Sequence, residues 1–289
     1  MLVRLTGMLI ALVIAAFLGT AVGAEQPPPP SFENLQNRLI KDGFDKQQLE
    51  KIYNHKDVEL DLSVATVYFR HRESKSNYDQ FLEDKTIANA RAYLAEHKTD
   101  LEATEKAYGV DKEVITAILL VETRLGGYVG VKPVINTLST LASLSEESKR
   151  SLLFNQVSKN GKQSREQVDA WAEKKAAWAY EELKAFLSHT DSSETDPVGI
   201  KGSFAGAMGY AQFMPSNILV YGADGSGDGK VDLFVHSDAI ASIGLYLKGH
   251  GWKPGLDAEK MGKVLLRYNN STYYANTLLR IRAVLRGSS

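Results

Sequence analysis

Ile115-Thr116-Ala117-Ile118-Leu119-Leu120-Val121-Glu122-Thr123-Arg124-Leu125-Gly126-Gly127 is an apolar run that closes on a carboxylate. The run predicts a helix. Asp111 is placed to cap its start, Glu113 lies in its first turn, and the Gly126-Gly127 pair is positioned to stop it. Helical spacing sets Glu122 beside Ile118 and Leu119, one turn back on the same face. Apolar neighbours disfavour the charged form of a carboxyl group and raise its pKa. A carboxylic acid that stays protonated near neutral pH is what general-acid catalysis needs. The competing reading of this segment alone is a half-solvated Glu at a fraying helix end, paired with Arg124.

Around this stretch, 289 residues with 44% hydrophobic content suffice for one large domain or two small ones. A net charge of −1 gives no sign of a nucleic-acid partner. The chain has no cysteine, hence no disulfide, no thiol nucleophile and no lipid-acceptor thiol near the N-terminus. Arg4, the apolar stretch Met8 to Leu18 and the small residues Gly19 to Ala24 form the three parts of an export signal, with cleavage expected after Ala24. The alternative is an uncleaved anchor, since Leu5 to Ala24 nearly suffices to span a bilayer. Either way the body lies outside the cytoplasm. Gln26 followed by Pro27 to Pro30 is a stiff spacer.

From Ser31 onward the apolar residues recur at helical spacing. Phe32, Leu35, Leu39 and Ile40 mark one helix; Leu49, Ile52 and Tyr53 begin a second; Ile87 to Leu94 mark a third that runs on towards Tyr108-Gly109. A long helix carries Val168, Trp171, Ala172, Trp178, Leu183 and Leu187, and its tryptophans, seven apart on an apolar stripe, read as core residues rather than sugar platforms. Further helices are expected over Ser237 to Gly249 and from Thr272 to Leu285, with Arg280, Arg282 and Arg286 suiting the latter's C-terminus. Strand signals are few. The expected organisation is a signal peptide (1–24), a Pro-rich linker (25–31), an N-terminal helical region (32–100) and a mainly α catalytic domain (101–289).

Three segments carry candidate chemistry. Lys201 to Ser216, K-G-S-F-A-G-A-M-G-Y-A-Q-F-M-P-S, has little side-chain bulk in its first half, then offers Tyr210, Gln212, Phe213 and Met214. It reads either as a sugar-binding surface approached closely by backbone, or as a tight packing loop. Asp224-Gly225-Ser226-Gly227-Asp228-Gly229-Lys230-Val231-Asp232 is the first part of an EF-hand-like loop, with Asp224, Ser226, Asp228, the Lys230 carbonyl and Asp232 as ligands. Its twelfth position is Val235 instead of Glu, so only a weak site is expected unless Asp238 reaches in; the alternative is an Asx-rich turn without metal. Arg267-Tyr268-Asn269-Asn270-Ser271-Thr272-Tyr273-Tyr274-Ala275 reads either as sugar-facing groups or as a capped helix start with a buried tyrosine pair. The six histidines show no zinc spacing, and there is no nucleophile-elbow or phosphate-loop pattern.

In order along the chain, Val121-Glu122-Thr123-Arg124, Gly202 to Ser216, the Asp224–Asp232 loop, His250-Gly251-Trp252 and Arg267 to Ser271 resemble the motifs of the lytic murein transglycosylase B family. The resemblance covers roughly Leu35 to the C-terminus. It implies a lysozyme-like fold and cleavage of the β-1,4 bond between N-acetylmuramic acid and N-acetylglucosamine, with the muramyl C6 hydroxyl closing a 1,6-anhydro ring. Glycosidases usually employ two carboxylates; with an internal hydroxyl in place of water, one Glu serves as acid and then as base. The resemblance assigns that role to Glu122, sets Ser203 near the reacting sugar, and counts Arg124, Tyr210, Gln212, Phe213, Tyr268 and Asn269 among substrate-binding residues. It implies no cofactor for the chemistry, a weak structural Ca2+ or Na+, peptidoglycan glycan strands as partner with the wall-synthesis machinery as a candidate one, a monomer, and a periplasmic location. The segment Lys253 to Leu266 is shorter than in well-known members, which carry a small β-rich insertion there, and this puts outer sugar subsites in question.

Overall fold

The computed structural model describes residues 31–71, 78–158 and 163–287; the expected signal and, apart from Ser31, the expected linker lie outside them. The described residues hold thirteen α-helices and one two-stranded sheet. The first two helices, α1 (Glu33–Lys41) and α2 (Lys46–Tyr53), stand where the apolar spacing puts them, α2 capped by Asp45. The third expected helix is two: α4 (Asp84–Glu96) and α5 (Lys98–Tyr108) break at His97. Between them and α2 lies α3 (Leu62–Arg70), which the spacing does not disclose. No helix among the described residues is long and apolar enough to cross a membrane.

The apolar run that ends on Glu122 forms α6 (Lys112–Thr123), buried along almost its whole length from Val114 to Leu120. A helix apolar on every side has to be central. Neighbours enclose it: α4, α5, α11 (His236–Gly249) and α13 (Thr272–Leu285) all pack on it. Asp111 does not cap α6 with its side chain. Its carboxylate instead takes the Arg282 guanidinium at 2.6 Å, with Arg286 at 3.7 Å. The start of α6 is thereby fixed to the end of α13, so the two helices run antiparallel and the start of α13 lies at the end of α6.

The long helix is α9 (Arg165–Ser192), opened by a Ser164–Gln167 capping box. It packs along α7 (Val134–Ala142), every residue of which is buried. α8 (Glu147–Val157), α10 (Pro215–Tyr221) and α12 (Ala258–Tyr268) complete the set. The two strands are short, β1 (Lys132–Pro133) against β2 (Lys201–Gly202), antiparallel. One continuous apolar core runs from Phe32 in the first helices to Ile281 in the last. Tyr53 Oη and Ser139 Oγ, 2.8 Å apart, join α2 to α7 inside it.

Candidate active site

Glu122 closes the last turn of α6, and the chain turns away sharply after Thr123. Arg124 and Leu125 both adopt left-handed backbone (φ 52° and 63°), and the Leu125 amide donates back to the Leu119 carbonyl at 2.9 Å. The stop therefore falls two residues before the expected Gly126-Gly127 pair. Left-handed geometry costs a residue with a Cβ on the order of 1–3 kcal/mol. Thr123 helps to hold it: its hydroxyl donates to the Tyr210 carbonyl at 3.0 Å and accepts from the Gly126 amide at 3.0 Å. The strained turn leaves Glu122 as a half-buried residue at the end of the buried helix.

Burial pushes the Glu122 carboxyl up to about 7 from its ordinary 4.5, and one hydrogen bond opposes the rise: the Tyr274 hydroxyl donates to Oε1 at 2.7 Å. Tyr274 is fully enclosed in the first turn of α13, and its own ionisation is pushed up by burial and by the adjacent carboxylate. Its ring lies parallel to that of Tyr268 with centroids 6.3 Å apart, and Tyr78 approaches it edge-on at 6.5 Å. Tyr268 in turn donates its hydroxyl to the Ala211 carbonyl at 2.6 Å, so it offers the site a ring rather than a free hydroxyl. Arg124 does not pair with Glu122; its guanidinium reaches Gln80 Oε1 at 3.2 Å on the exposed side. Among the described residues no second carboxylate perturbs or hydrogen-bonds Glu122.

The glycine-rich segment is built against this site by backbone packing. A Cβ on Gly202 would collide with the Ala207 carbonyl, and one on Gly130 with the Gly202 carbonyl. These glycines serve close approach between protein segments, so the packing reading accounts for them. What the turn presents is Ser203, half-buried, whose oxygen accepts the amides of Ala205 (3.2 Å) and Ala207 (3.1 Å) and keeps its hydroxyl proton to donate. Asn269, which ends α12, has a side-chain amide with no partner among the described residues.

The other expected substrate residues stand differently. Phe213 is only 2% exposed and packs on Tyr246 and Tyr268, so it backs the site and cannot itself meet a sugar. Gln212, in left-handed backbone, commits its amide nitrogen to the carbonyls of Gly209 (2.9 Å) and Val129 (3.2 Å), tying two loops together. Tyr210 stacks on His236 with centroids 4.4 Å apart, and both rings lie against Gly126. Arg124 lines a separate groove with Gln80, Phe81 and Asn89. Tyr274 is the functional contact that sequence reasoning misses. The sequence discloses it only as half of a buried tyrosine pair, whereas Tyr273 is exposed and Tyr274 alone faces Glu122.

The 224–232 loop satisfies itself. Asp224 accepts the amides of Gly227, Asp228 and Gly229, and these bonds hold its carboxyl below the usual range. Asp238 does not reach in to replace the missing acid at Val235. It is buried, and its two oxygens take the amides of Gly225, Ser226 and Asp232 at 2.8 to 3.0 Å. Among the described residues no three carboxylate or imidazole groups stand close enough to share an ion. In this conformation the Asp224 and Asp238 carboxylates are engaged by the loop's own amides, and no chemical step runs through a cation.

A family model described as the transglycosylase SLT domain matches residues 29–262. The chain belongs to that family. It is 29% identical over 252 residues to the membrane-bound lytic murein transglycosylase B of Escherichia coli K12, a match that takes in 81% of this chain but spans only 61% of that relative's length. The soluble lytic transglycosylase SltB1 of Pseudomonas aeruginosa is similar in structure, with a TM-score of 0.72 at 26% identity, covering 89% of this chain and 100% of that one. The Escherichia coli lytic transglycosylase Slt35 in complex with calcium follows at 0.71 and 24% identity, covering 90% of this chain and 94% of that one; at that identity the likeness carries the fold alone. The mainly α, lysozyme-like expectation is met.

Proposed function

We propose that this chain is a peptidoglycan lytic transglycosylase acting in the periplasm on glycan strands, with Glu122 as its single acid and base. One observation carries the reading: a carboxyl raised by burial to about 7, steadied on one oxygen by Tyr274, with no second carboxylate engaging it among the described residues. Tyr274 occupies Oε1, so the proton resides on Oε2. From there it passes to the glycosidic oxygen as the bond from that oxygen to muramyl C1 breaks. The resulting carboxylate then removes the proton of the C6 hydroxyl as O6 bonds to C1. Glu122 ends protonated, as it began, and no water is consumed.

In this reading Ser203 donates to the sugar at the scissile bond, the Asn269 amide meets its substituents, and the Tyr268 ring walls the site. Gln212, Tyr210 and Phe213 act through these groups by fixing loops and rings. No cofactor takes part in the chemistry. The Asp224–Asp232 loop takes Ca2+ or Na+ weakly, since binding has to displace its internal amide bonds. The test is mass spectrometry of peptidoglycan digested by the parent protein and by Glu122→Gln. Anhydro-muramic ends from the parent alone are expected. Reducing muramic ends from the parent would make the chain a hydrolase, and equal products from both proteins would remove Glu122 from the reaction.

A further inference from the structure

A second cluster of rings lies beyond the glycine-rich turn. Phe204, the residue after Ser203, approaches the Tyr68 ring edge-on at 5.5 Å and His71 at 5.1 Å. Tyr68 also meets Trp171 at 5.9 Å and Trp178 at 6.1 Å, and Phe69 meets Trp171 at 5.3 Å. Both tryptophans pack on the core, as their spacing implies, yet neither is fully buried. Beside them is an open groove of about 560 Å³ lined by Tyr68, Phe69, Gln167, Trp171 and Lys175 among others. That volume lies within the roughly 300–1,000 Å³ occupied by small ligands.

The polar groups lining the groove are the amides of Gln163 and Gln167, the His71 imidazole, the Tyr68 hydroxyl and the Lys175 ammonium. Lys175 donates to the Tyr68 hydroxyl at 2.6 Å and sits over the rings of Tyr68 (4.2 Å) and Trp178 (4.8 Å). Gln163 Oε1 in the groove wall has no partner among the described residues. Ring faces and edges suit the apolar faces of pyranose rings, amides suit N-acetyl groups, and an ammonium suits the carboxylates of attached peptides. Phe204, next to Ser203 in the chain and in contact with Tyr68, ties the groove to the glycine-rich turn.

We infer that this groove is a distal subsite, binding N-acetylated sugars of the same strand several units away from the bond being cut. The inference rests on the glycan-strand reading above. It gives the first half of α9, which carries Trp171 and Lys175, the task of holding long strands against short ones.

The test uses the full chain carrying Glu122→Gln to prevent turnover. Calorimetry measures its affinity for N-acetylglucosamine oligomers of two and six units, with and without Trp171→Ala. The hexamer is expected to bind more tightly than the dimer. Trp171→Ala weakens the hexamer about tenfold, the scale of one lost aromatic platform, and leaves the dimer unchanged. Lys175→Met, which keeps the side-chain length, guards against misfolding of the tryptophan variant; it is expected to lower the affinity for peptide-bearing strands and spare the bare hexamer. Equal affinity of dimer and hexamer, or Trp171→Ala affecting both alike or neither, overturns the subsite. Products from the otherwise unaltered chain decide the glycan reading separately, because anhydro ends would persist with or without a distal subsite.

Discussion

Replacing Glu122 by Gln should stabilise the protein while abolishing its chemistry, and the stabilisation should depend on pH in a set direction. Burial favours the neutral carboxyl, moving it from 4.5 to about 7. For an acid whose pKa is raised on folding, the native state holds the proton more tightly than the unfolded chain. Native stability is therefore unaffected by this group below about 4.5, declines as pH rises from there to about 7, and stays lowered above. The interval corresponds to about 3 kcal/mol at alkaline pH, an upper figure because the residue is only half-buried. The amide that replaces the carboxyl would carry no charge at any pH and would keep an oxygen for the Tyr274 hydroxyl. The variant should exceed the parent by about 2–3 kcal/mol at pH 8.5, a rise of about 5–10 °C in midpoint for a chain of this size, and match it at pH 4. Urea unfolding of both proteins at half-unit steps across that range is the assay. A difference that is constant with pH, or largest in acid, would refute the claim that Glu122 is held protonated by its surroundings.

The remaining expectations concern its neighbours. Activity should fall as pH rises through about 7, because the acid must start protonated; Tyr274→Phe removes a bond that favours the charged form and should move that limb of the kcat/KM profile upward by about one pH unit. A downward or absent movement would remove Tyr274 from the control of Glu122. Gly202→Ala should cost about 2–3 kcal/mol in urea unfolding and most of the activity, because its methyl group meets the Ala207 carbonyl and displaces the turn bearing Ser203; wild-type midpoints would contradict the packing. Asp238→Asn should lower stability by about 2 kcal/mol by unpairing the Asp232 amide, whereas a chelator should move the parent's midpoint by less than about 1 °C; a large chelator effect would mean that the 224–232 loop is held by an ion.

What is legible in the chain divides along physical lines. Helices with a one-sided stripe and a clear stop, such as α1, α2 and α13, can be read because their signal is local. The joint at His97 cannot be, since no Gly or Pro marks it and tertiary packing sets the angle between α4 and α5. The end of α6 escapes the sequence for a related reason: Arg124 and Leu125 accept left-handed backbone that their side chains oppose, which is favourable only once Thr123 has Tyr210 to bond to. Phe213 reads as a sugar-facing ring because an aromatic in a polar-aromatic motif looks the same whether it faces in or out. Its burial depends on Tyr246, which lies in α11, far along the chain.

Glu122 is legible as a candidate from its apolar neighbours, but what makes it workable as a lone catalyst lies 152 residues away. The Asp111–Arg282 pair fixes α6 and α13 antiparallel at one end, and the helix lengths then bring Tyr274 to Glu122 at the other. A carboxyl with both oxygens free could share its proton between them or turn away from the substrate. With Oε1 bound by a tyrosine that burial keeps from ionising, the proton has one position, Oε2. In the proposed mechanism that atom would serve the glycosidic oxygen before cleavage and the C6 hydroxyl after it. A second carboxylate would be needed only to activate a nucleophile on the far side of the ring. If, as proposed, the nucleophile is part of the substrate and arrives on the side of the acid, the fold has only to fix one oxygen of Glu122.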